Sequence, residues 1–341
     1  MVLELLRGFL KMIRRKMRNL VITGYGYKVK RKGNLIKVSS VEGNLYFSPK
    51  EIEQLIIAGD VMVTSAAISL LLEYDVDIVF VRQRSGFFAR VSKTIGDVYP
   101  DLWRKQMSLS SIRKLEIARE IVDTAIYNRI RMLQQLERNR DIDFSMDIDF
   151  LNRERKQVDN VSSPLSLMGV EGQASKIYFS SLSRVIPSVF QFTHRRKHPA
   201  VDPVNSMLDY GYTILLSKVT YALLLSGLNI YEGLLHESYR GRTALAFDLM
   251  EEFRQAIVDR VIITLIVRRE VSIDDFELIE GMCRMKSDFR RMYLDALYTR
   301  FEQMYTYRDV EMEFQDIIVE QAKSLADAIL NDRVYHGFRY R

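Results

Sequence analysis

The chain has 341 residues, 48% of them hydrophobic and 28% charged, with a net charge of +6 at neutral pH. That length suffices for two domains with a sizeable core, and no apolar run approaches the roughly 18 residues of a membrane-spanning helix, so no transmembrane segment is expected. The single Cys283 excludes an intrachain disulfide and any multi-cysteine zinc site, and is compatible with a cytoplasmic location.

The charge is uneven. Residues 1–33 carry ten Lys or Arg against one Glu, a net of +9, while the remainder carries 40 against 43, a net of −3. A basic segment of this kind suits an anionic partner, nucleic acid or a membrane surface. Within it, Leu6, Leu10, Ile13 and Met17 repeat at helical spacing opposite Arg7, Lys11, Arg14, Arg15 and Arg18. Residues 1–17 therefore read as a basic amphipathic helix, or as a dispensable extension.

From residue 18 the pattern turns strand-like. "LVITGYGYKVKRKGNLIKVSS" gives two β-rich runs around a Gly33-Asn34 turn, and "EQLIIAGDVMVT" gives a further strand. Thr64 is placed to cap a short helix over "SAAISLLLEYD", and "VDIVFVRQRSGFFARVS" predicts a closing hairpin across Ser85-Gly86. Residues 18–94 are thus expected to form a β-rich domain with one small helix. "TIGDVYPDLW", with Gly, Pro and Asp close together, predicts a linker over 95–103.

Beyond the linker, helical periodicity takes over. Leu115, Ile117, Ile121, Val122, Ile126 and Ile130 mark one long helix. "RNRDIDFSMDIDF" crowds Asp141, Asp143, Asp147 and Asp149. It lacks the Gly and Glu of a helix–loop–helix calcium site and predicts a solvated loop or helix connection. The fold class is α+β: an N-terminal β-rich domain, then an all-α domain over 104–341.

"GLLHESYRGRTALAFDLMEEFR" (233–254) is the chemically suggestive stretch. On a regular helix from Thr243, Asp248, Glu252 and Asp259 fall within about 40° of one another. Glu251 lies to the other side of Asp248, and Leu249, Met250, Phe253 and Ile257 lie opposite. A solvated acidic face fits this pattern, and so does a metal site. His236 just before the helix makes a mixed imidazole–carboxylate set suited to manganese or magnesium. Glu171, at the start of another predicted helix, is a candidate third ligand. Spacing leaves that contact open.

Several ordered motifs settle the comparison. "GVEGQASKIYF", "HPAVDPVNSMLDYGYTILLSKV", "SGLNIYEGLLHE", "TALAFDLMEEFRQAIVDR" and "QDIIVEQAKSLADAI", with an aromatic and basic C-terminal "YHGFRYR", run through more than 300 residues. In these the chain resembles the universal CRISPR-associated integrase, the metal-dependent nuclease that inserts spacers. It departs from the family at Asn229-Ile230, where Asp-Pro is common, and at Ala200, where a second Pro is common. Both are loop positions.

The resemblance implies Mn2+ or Mg2+ held by Glu171, His236 and Glu251, which are also the catalytic residues. Asp248, one turn before Glu251, is implied as a supporting residue or an alternative ligand. It implies DNA as substrate, both spacer precursor and CRISPR repeat, and joining by attack of a DNA 3′ hydroxyl. It further implies a homodimer formed through the β-rich domains, and a small companion Cas protein. The basic turn "FTHRRKHPAVDPVN" offers Arg195, Arg196 and Lys197 for phosphates, with Asn205 and Tyr210 downstream as further DNA-binding candidates; a metal-binding pair of His194 and His198 with Asp202, or a merely solvated basic turn, is the rival there. Tyr178 is expected to pack its helix. Two other functions remain open: a catalytically inert nucleic-acid-binding scaffold of the same fold, and a membrane-surface or partner-binding protein acting through residues 1–17.

Overall fold

The computed structural model describes residues 13–16, 19–41, 43–82, 87–91, 100–138, 140, 142–196, 199–237 and 243–340. The chain divides into two compact units, residues 1–97 and 98–341.

The first unit is built on a seven-stranded mixed sheet. Its strands are β1 (Ile13–Lys16), β2 (Asn19–Lys32), β3 (Leu35–Ser40), β4 (Gly43–Phe47), β5 (Gln54–Val63), β6 (Asp77–Arg82) and β7 (Phe87–Val91), in the order β4-β3-β2-β5-β6-β7. β1 pairs antiparallel with the start of β2. The amphipathic helix expected over 1–17 is therefore corrected at residues 13–16, which form a strand; residues 1–12 and 17 lie outside the described residues. The β2–β3 hairpin turns at Gly33-Asn34 as expected, with Gly33 at φ +61°. A positive φ at the first position of a two-residue turn is open to glycine at little cost.

β5 and β6 are parallel, so their connection must cross over. Helix α1 (Ser65–Glu73) makes that crossover, capped by Thr64, whose side chain accepts from the Ala67 N–H. α1 buries Ala67, Leu70 and Leu71 in the sheet core of Leu20, Ile22, Val29, Ile36, Val38, Leu55, Ile57 and Ile78. The buried Asp77 carboxylate is satisfied by Gln54 Nε2 at 2.7 Å and by Arg90. β6 and β7 pair antiparallel as the expected hairpin; its Ser85-Gly86 turn lies outside the described residues.

The second unit is helical: α2 (Pro100–Met107), α3 (Ser111–Arg138), α4 (Ser145–Gln157), α5 (Pro164–Ser183), α6 (Pro203–Leu225), α7 (Ala244–Met250), α8 (Arg260–Val267), α9 (Ser287–Phe301) and α10 (Phe314–Leu330). It also carries two hairpins, β8–β9 (Phe276–Ile279, Met282–Met285) and β10–β11 (Met304–Tyr307, Val310–Glu313). These short pairs escape the helical reading of 104–341. The expected linker over 95–103 overlaps α2, because a proline at a helix start keeps its fixed φ and loses no needed donor. The aspartate-rich segment is largely helical too. Asp143 accepts from the Ser145 N–H at 2.8 Å, and Asp147 and Asp149 lie in α4, with Arg184 paired to Asp147.

α3 packs along α4 and α5, while α6 packs against α7 and α10. Between α7 and α8 the helix tightens into turns at 251–253 and then widens into a π segment, Gln255–Asp259. That segment touches α3, α6 and α9. No helix among the described residues is long and apolar enough to cross a membrane.

Candidate active site

Three segments distant in sequence supply the predicted ligands. Glu171 is carried by α5, which starts at Pro164 behind the Ser163 cap, so it lies mid-helix and not at the helix start. Its side chain is 23% exposed. His236 lies in the segment between α6 and α7. That loop is fixed by Gly233, where an added Cβ would come within 2.2 Å of the His236 carbonyl oxygen and 2.8 Å of Ala244. Glu251 follows α7 and is buried.

Asp248 and Glu251 do different things. Asp248 is fully buried. Its Oδ2 accepts from the Leu234 and Leu235 N–H groups at 2.7 and 3.1 Å. Its Oδ1 accepts from the His236 N–H at 3.2 Å and pairs with His236 Nδ1 at 2.6 Å. With Nδ1 engaged by a carboxylate, Nε2 is the imidazole nitrogen left to ligate. A carboxylate that fixes the ring of a metal-binding histidine in this way is a recurrent outer support. Glu251 makes no such bonds to the described residues of the loop. Its Oε1 pairs with Arg254 Nη2 at 2.9 Å, and its Oε2 faces Arg129 Nη2 at 3.5 Å without a hydrogen-bond partner among the described residues.

Arg129 of α3 joins the two carboxylates. Its Nη2 lies 2.5 Å from Glu171 Oε1, and its side chain is 1% exposed. Burial alone would lower the pKa of this guanidinium; Glu171 and then Glu251 outweigh burial and raise it. Burial also pushes the Glu251 carboxyl above its ordinary range, and Glu171 adds to that push, against the pull of Arg254, Arg129 and His236.

The acidic stripe expected on one helix face does not form. The turn at 251–253 and the wide π segment change the angular step, and the four acids point to four partners. Asp248 holds the histidine loop, and Glu251 meets the arginines. Glu252 accepts from Tyr335 Oη at 2.7 Å and the Phe338 N–H at 2.8 Å. Asp259 accepts from Tyr212 and Tyr178 hydroxyls at 2.6 and 2.8 Å. Tyr178 is buried and packs its helix, as expected. A π segment beside such a cluster is a frequent mark of a functional site.

For a divalent ion, the donor set fits in kind: one imidazole nitrogen and two carboxylates, one of which has a buried oxygen with no hydrogen bond among the described residues. As the side chains stand, no three His, Cys, Asp or Glu groups among the described residues are close enough to hold a metal. The Arg129 guanidinium lies between two of the donors.

The basic turn is tied to this cluster. Arg195 pairs with Asp209 and donates to Asn205 Oδ1 at 3.0 Å. The Tyr212 ring is shared by Arg195 and Arg254, whose guanidinium carbons are 5.6 and 4.7 Å from its centroid. Arg196 is exposed; Lys197 and His198 lie outside the described residues. Asn205 is buried. It accepts from the Arg196 N–H at 2.9 Å and donates to the His194 carbonyl at 3.0 Å and to Asp202 at 2.7 Å. Tyr210 is buried too, its hydroxyl pushed up to about 12 by burial. Asn205 and Tyr210 are therefore corrected as DNA contacts: Asn205 shapes the basic turn from behind, and Tyr210 belongs to the core.

The Glu251–Arg254 pair is the i,i+3 pair that helical spacing offers, whereas Arg129, Tyr212 and the close packing of Gly233 escaped the sequence reading. One signal was available for Arg129. It falls on the apolar stripe of α3 with Val122, Ile126 and Leu133, where a charge needs a buried partner.

The site can be set beside known proteins. The family model of CRISPR associated protein Cas1 matches residues 20–299. A CRISPR-associated endonuclease Cas1 from Methanospirillum hungatei is 33% identical over 332 residues, 95% of this chain and 100% of its own. The chain belongs to the CRISPR-associated Cas1 family. A casposase bound to integration product shares the fold, with a TM-score of 0.85 at 24% identity over 95% of each chain. So does a chain of a Cas6-RT-Cas1–Cas2 complex, with a TM-score of 0.84 at 23% identity over 96% of this chain and 37% of that one. The Cas1 family match covers most of β1-to-β7 sheet and the helical unit up to α9, and so includes every candidate ligand.

Proposed function

We propose that this Cas1-family chain is a divalent-metal-dependent DNA endonuclease and integrase that inserts new spacers into a CRISPR array. The observation that carries the reading is the His236 Nδ1–Asp248 pair, which leaves Nε2 to ligate, together with the carboxylates Glu171 and Glu251 that meet on Arg129. The endonuclease name of the M. hungatei relative and the integration product on the casposase support it.

Glu171, His236 Nε2 and Glu251 would hold Mn2+ or Mg2+. A bound ion supplies charge stabilisation to a phosphate oxygen of the scissile phosphodiester. The chain's own groups prepare the rest. Asp248 fixes the imidazole, Arg254 fixes Glu251, and Gly233 allows the loop to close on α7. Arg196, with Lys197, offers phosphate contacts, which position DNA without reading its sequence. A DNA 3′ hydroxyl attacks phosphorus; one P–O bond forms, one breaks, and the hydroxyl proton passes to the departing oxygen through solvent. Water in place of that hydroxyl gives a nick.

A homodimer through the β-rich units, a small companion Cas protein and a cytoplasmic location belong to the same proposal. The Cas1–Cas2 assembly named for the structural neighbour supports the companion.

The test is strand joining on branched DNA and nicking of supercoiled DNA with Mn2+, Mg2+ or chelator. We expect products with metal, none with chelator, and loss to background in His236→Ala. DNA binding without metal-dependent products in the wild-type protein would favour the inert scaffold.

A further inference from the structure

The metal site proposed above has a cation already in it. Arg129 Nη2 is 2.5 Å from Glu171 Oε1 and 3.5 Å from Glu251 Oε2. Those oxygens are two of the donors a divalent ion needs. A guanidinium N–H and a metal cannot both take the same lone pair, and two cations sharing one pair of carboxylates repel each other.

The surroundings decide which groups can give way. Arg254 holds the other oxygen of Glu251 at 2.9 Å, so Glu251 keeps its place when Arg129 lets go. Its Oε2 has no hydrogen bond among the described residues to lose. Glu171 is 23% exposed, against 1% for Arg129, so the carboxylate has the room to turn. The arginine, rooted mid-way in α3, must stay buried near the site.

We propose that Arg129 is a resident counter-cation of this site: it holds Glu171 and Glu251 together in the metal-free protein and competes with the divalent metal for both carboxylates. This rests on the metal reading above. Arg129 is a positioning residue, and its charge sets how tightly the ion binds.

Competition has a signature that a structural brace lacks. Removing the charge should weaken the metal-free fold, because buried Glu251 and half-buried Glu171 lose a partner, and yet strengthen metal binding. The experiment is Mn2+ titration by calorimetry, with thermal melting in Mn2+ and in chelator, on the full-length protein without DNA. The forms compared are wild type, Arg129→Gln and Arg129→Lys.

We expect Arg129→Gln to melt lower than wild type in chelator, to show a larger rise in Tm on adding Mn2+, and to bind Mn2+ roughly tenfold more tightly or better, as loss of a neighbouring unit charge implies. Arg129→Lys keeps the charge and should stay within a few-fold of wild type. Folding of Arg129→Gln only when Mn2+ is present would support the same competition. Equal Mn2+ affinity and equal Tm shift in wild type and Arg129→Gln would overturn this proposal and leave the metal reading standing. Binding in none of the three forms would overturn both. A measurement on the wild type covers the case in which the Gln variant does not fold at all. In a crystal structure with Mn2+ bound, the Arg129–Glu171 contact should open beyond hydrogen-bond distance; the contact intact beside a bound ion would overturn the proposal.

Discussion

Asp248 and Glu251 sit three positions apart, are both buried, and differ in what they touch. Asp248 spends its oxygens on three backbone N–H groups and the imidazole. Replacing it with Asn puts a donor where acceptors are needed, leaving buried N–H groups unpaired at a cost of about 1–3 kcal/mol. It also frees the His236 ring, and loss of such a support costs about 10–100-fold in metal affinity or activity. Asp248→Asn should therefore fold with a lowered Tm and lose Mn2+ affinity by that factor in a calorimetric titration, whereas Glu251→Gln should lose more affinity with a smaller change in Tm. Equal losses of affinity in both would place Asp248 among the ligands. At this scale the sequence supplied candidate ligands, because "GVEG", "GLLHE" and "DLMEEFR" carry Glu171, His236 and Glu251. Spacing alone left open which acid holds the histidine loop, since that depends on where the loop's N–H groups point; only the family resemblance put Asp248 in the supporting place. Arg129 stayed hidden because its partner Glu171 is 42 residues away on another helix.

Helices and strands were legible where periodicity runs undisturbed: the β2–β3 hairpin, the Thr64 cap and the 28-residue α3. The segment from Thr243 to Asp259 was not, because a fixed 100° step assumes one regular helix and the chain makes a turn and a π segment there. The same break turns Glu252 away from the Glu171–Arg129–Glu251 cluster and into the C-terminal tail. There Tyr335 and Phe338 bind its carboxyl, and Asn128 bonds the Glu252 carbonyl, the Phe338 carbonyl and the Tyr340 N–H at 2.8–2.9 Å. Burial pushes Glu252 up to about 8 from an ordinary 4.5, and the bonds from Phe338 and Tyr335 moderate the rise. A carboxyl raised by folding binds its proton more readily in the native state. Its contribution to stability is therefore complete below about pH 4.5 and is lost as pH rises through about 8. Urea unfolding from pH 5 to 8.5 should show the wild type losing stability relative to Glu252→Gln across that window. Parallel profiles for the two forms would mean that the tail leaves Glu252 ionised throughout.

In the whole molecule, a sheet-based unit is followed by a helical unit that assembles the site from α3, α5, the loop after α6 and the turn after α7. Composition and pattern put the change from alternation to helical periodicity at a linker over 95–103, and the two compact units divide after residue 97. They could not disclose the convergence, because which helix faces meet is settled by packing across long sequence separations. In the proposed metal site these segments meet on one divalent ion. Anomalous scattering from crystals of the full-length protein grown with Mn2+ tests this. One strong peak is expected, bound by His236 Nε2 and the carboxylates of Glu171 and Glu251, with Asp248 still on Nδ1. A peak on Asp248 in place of Glu251, or Mn2+ bound only away from His236, would contradict it.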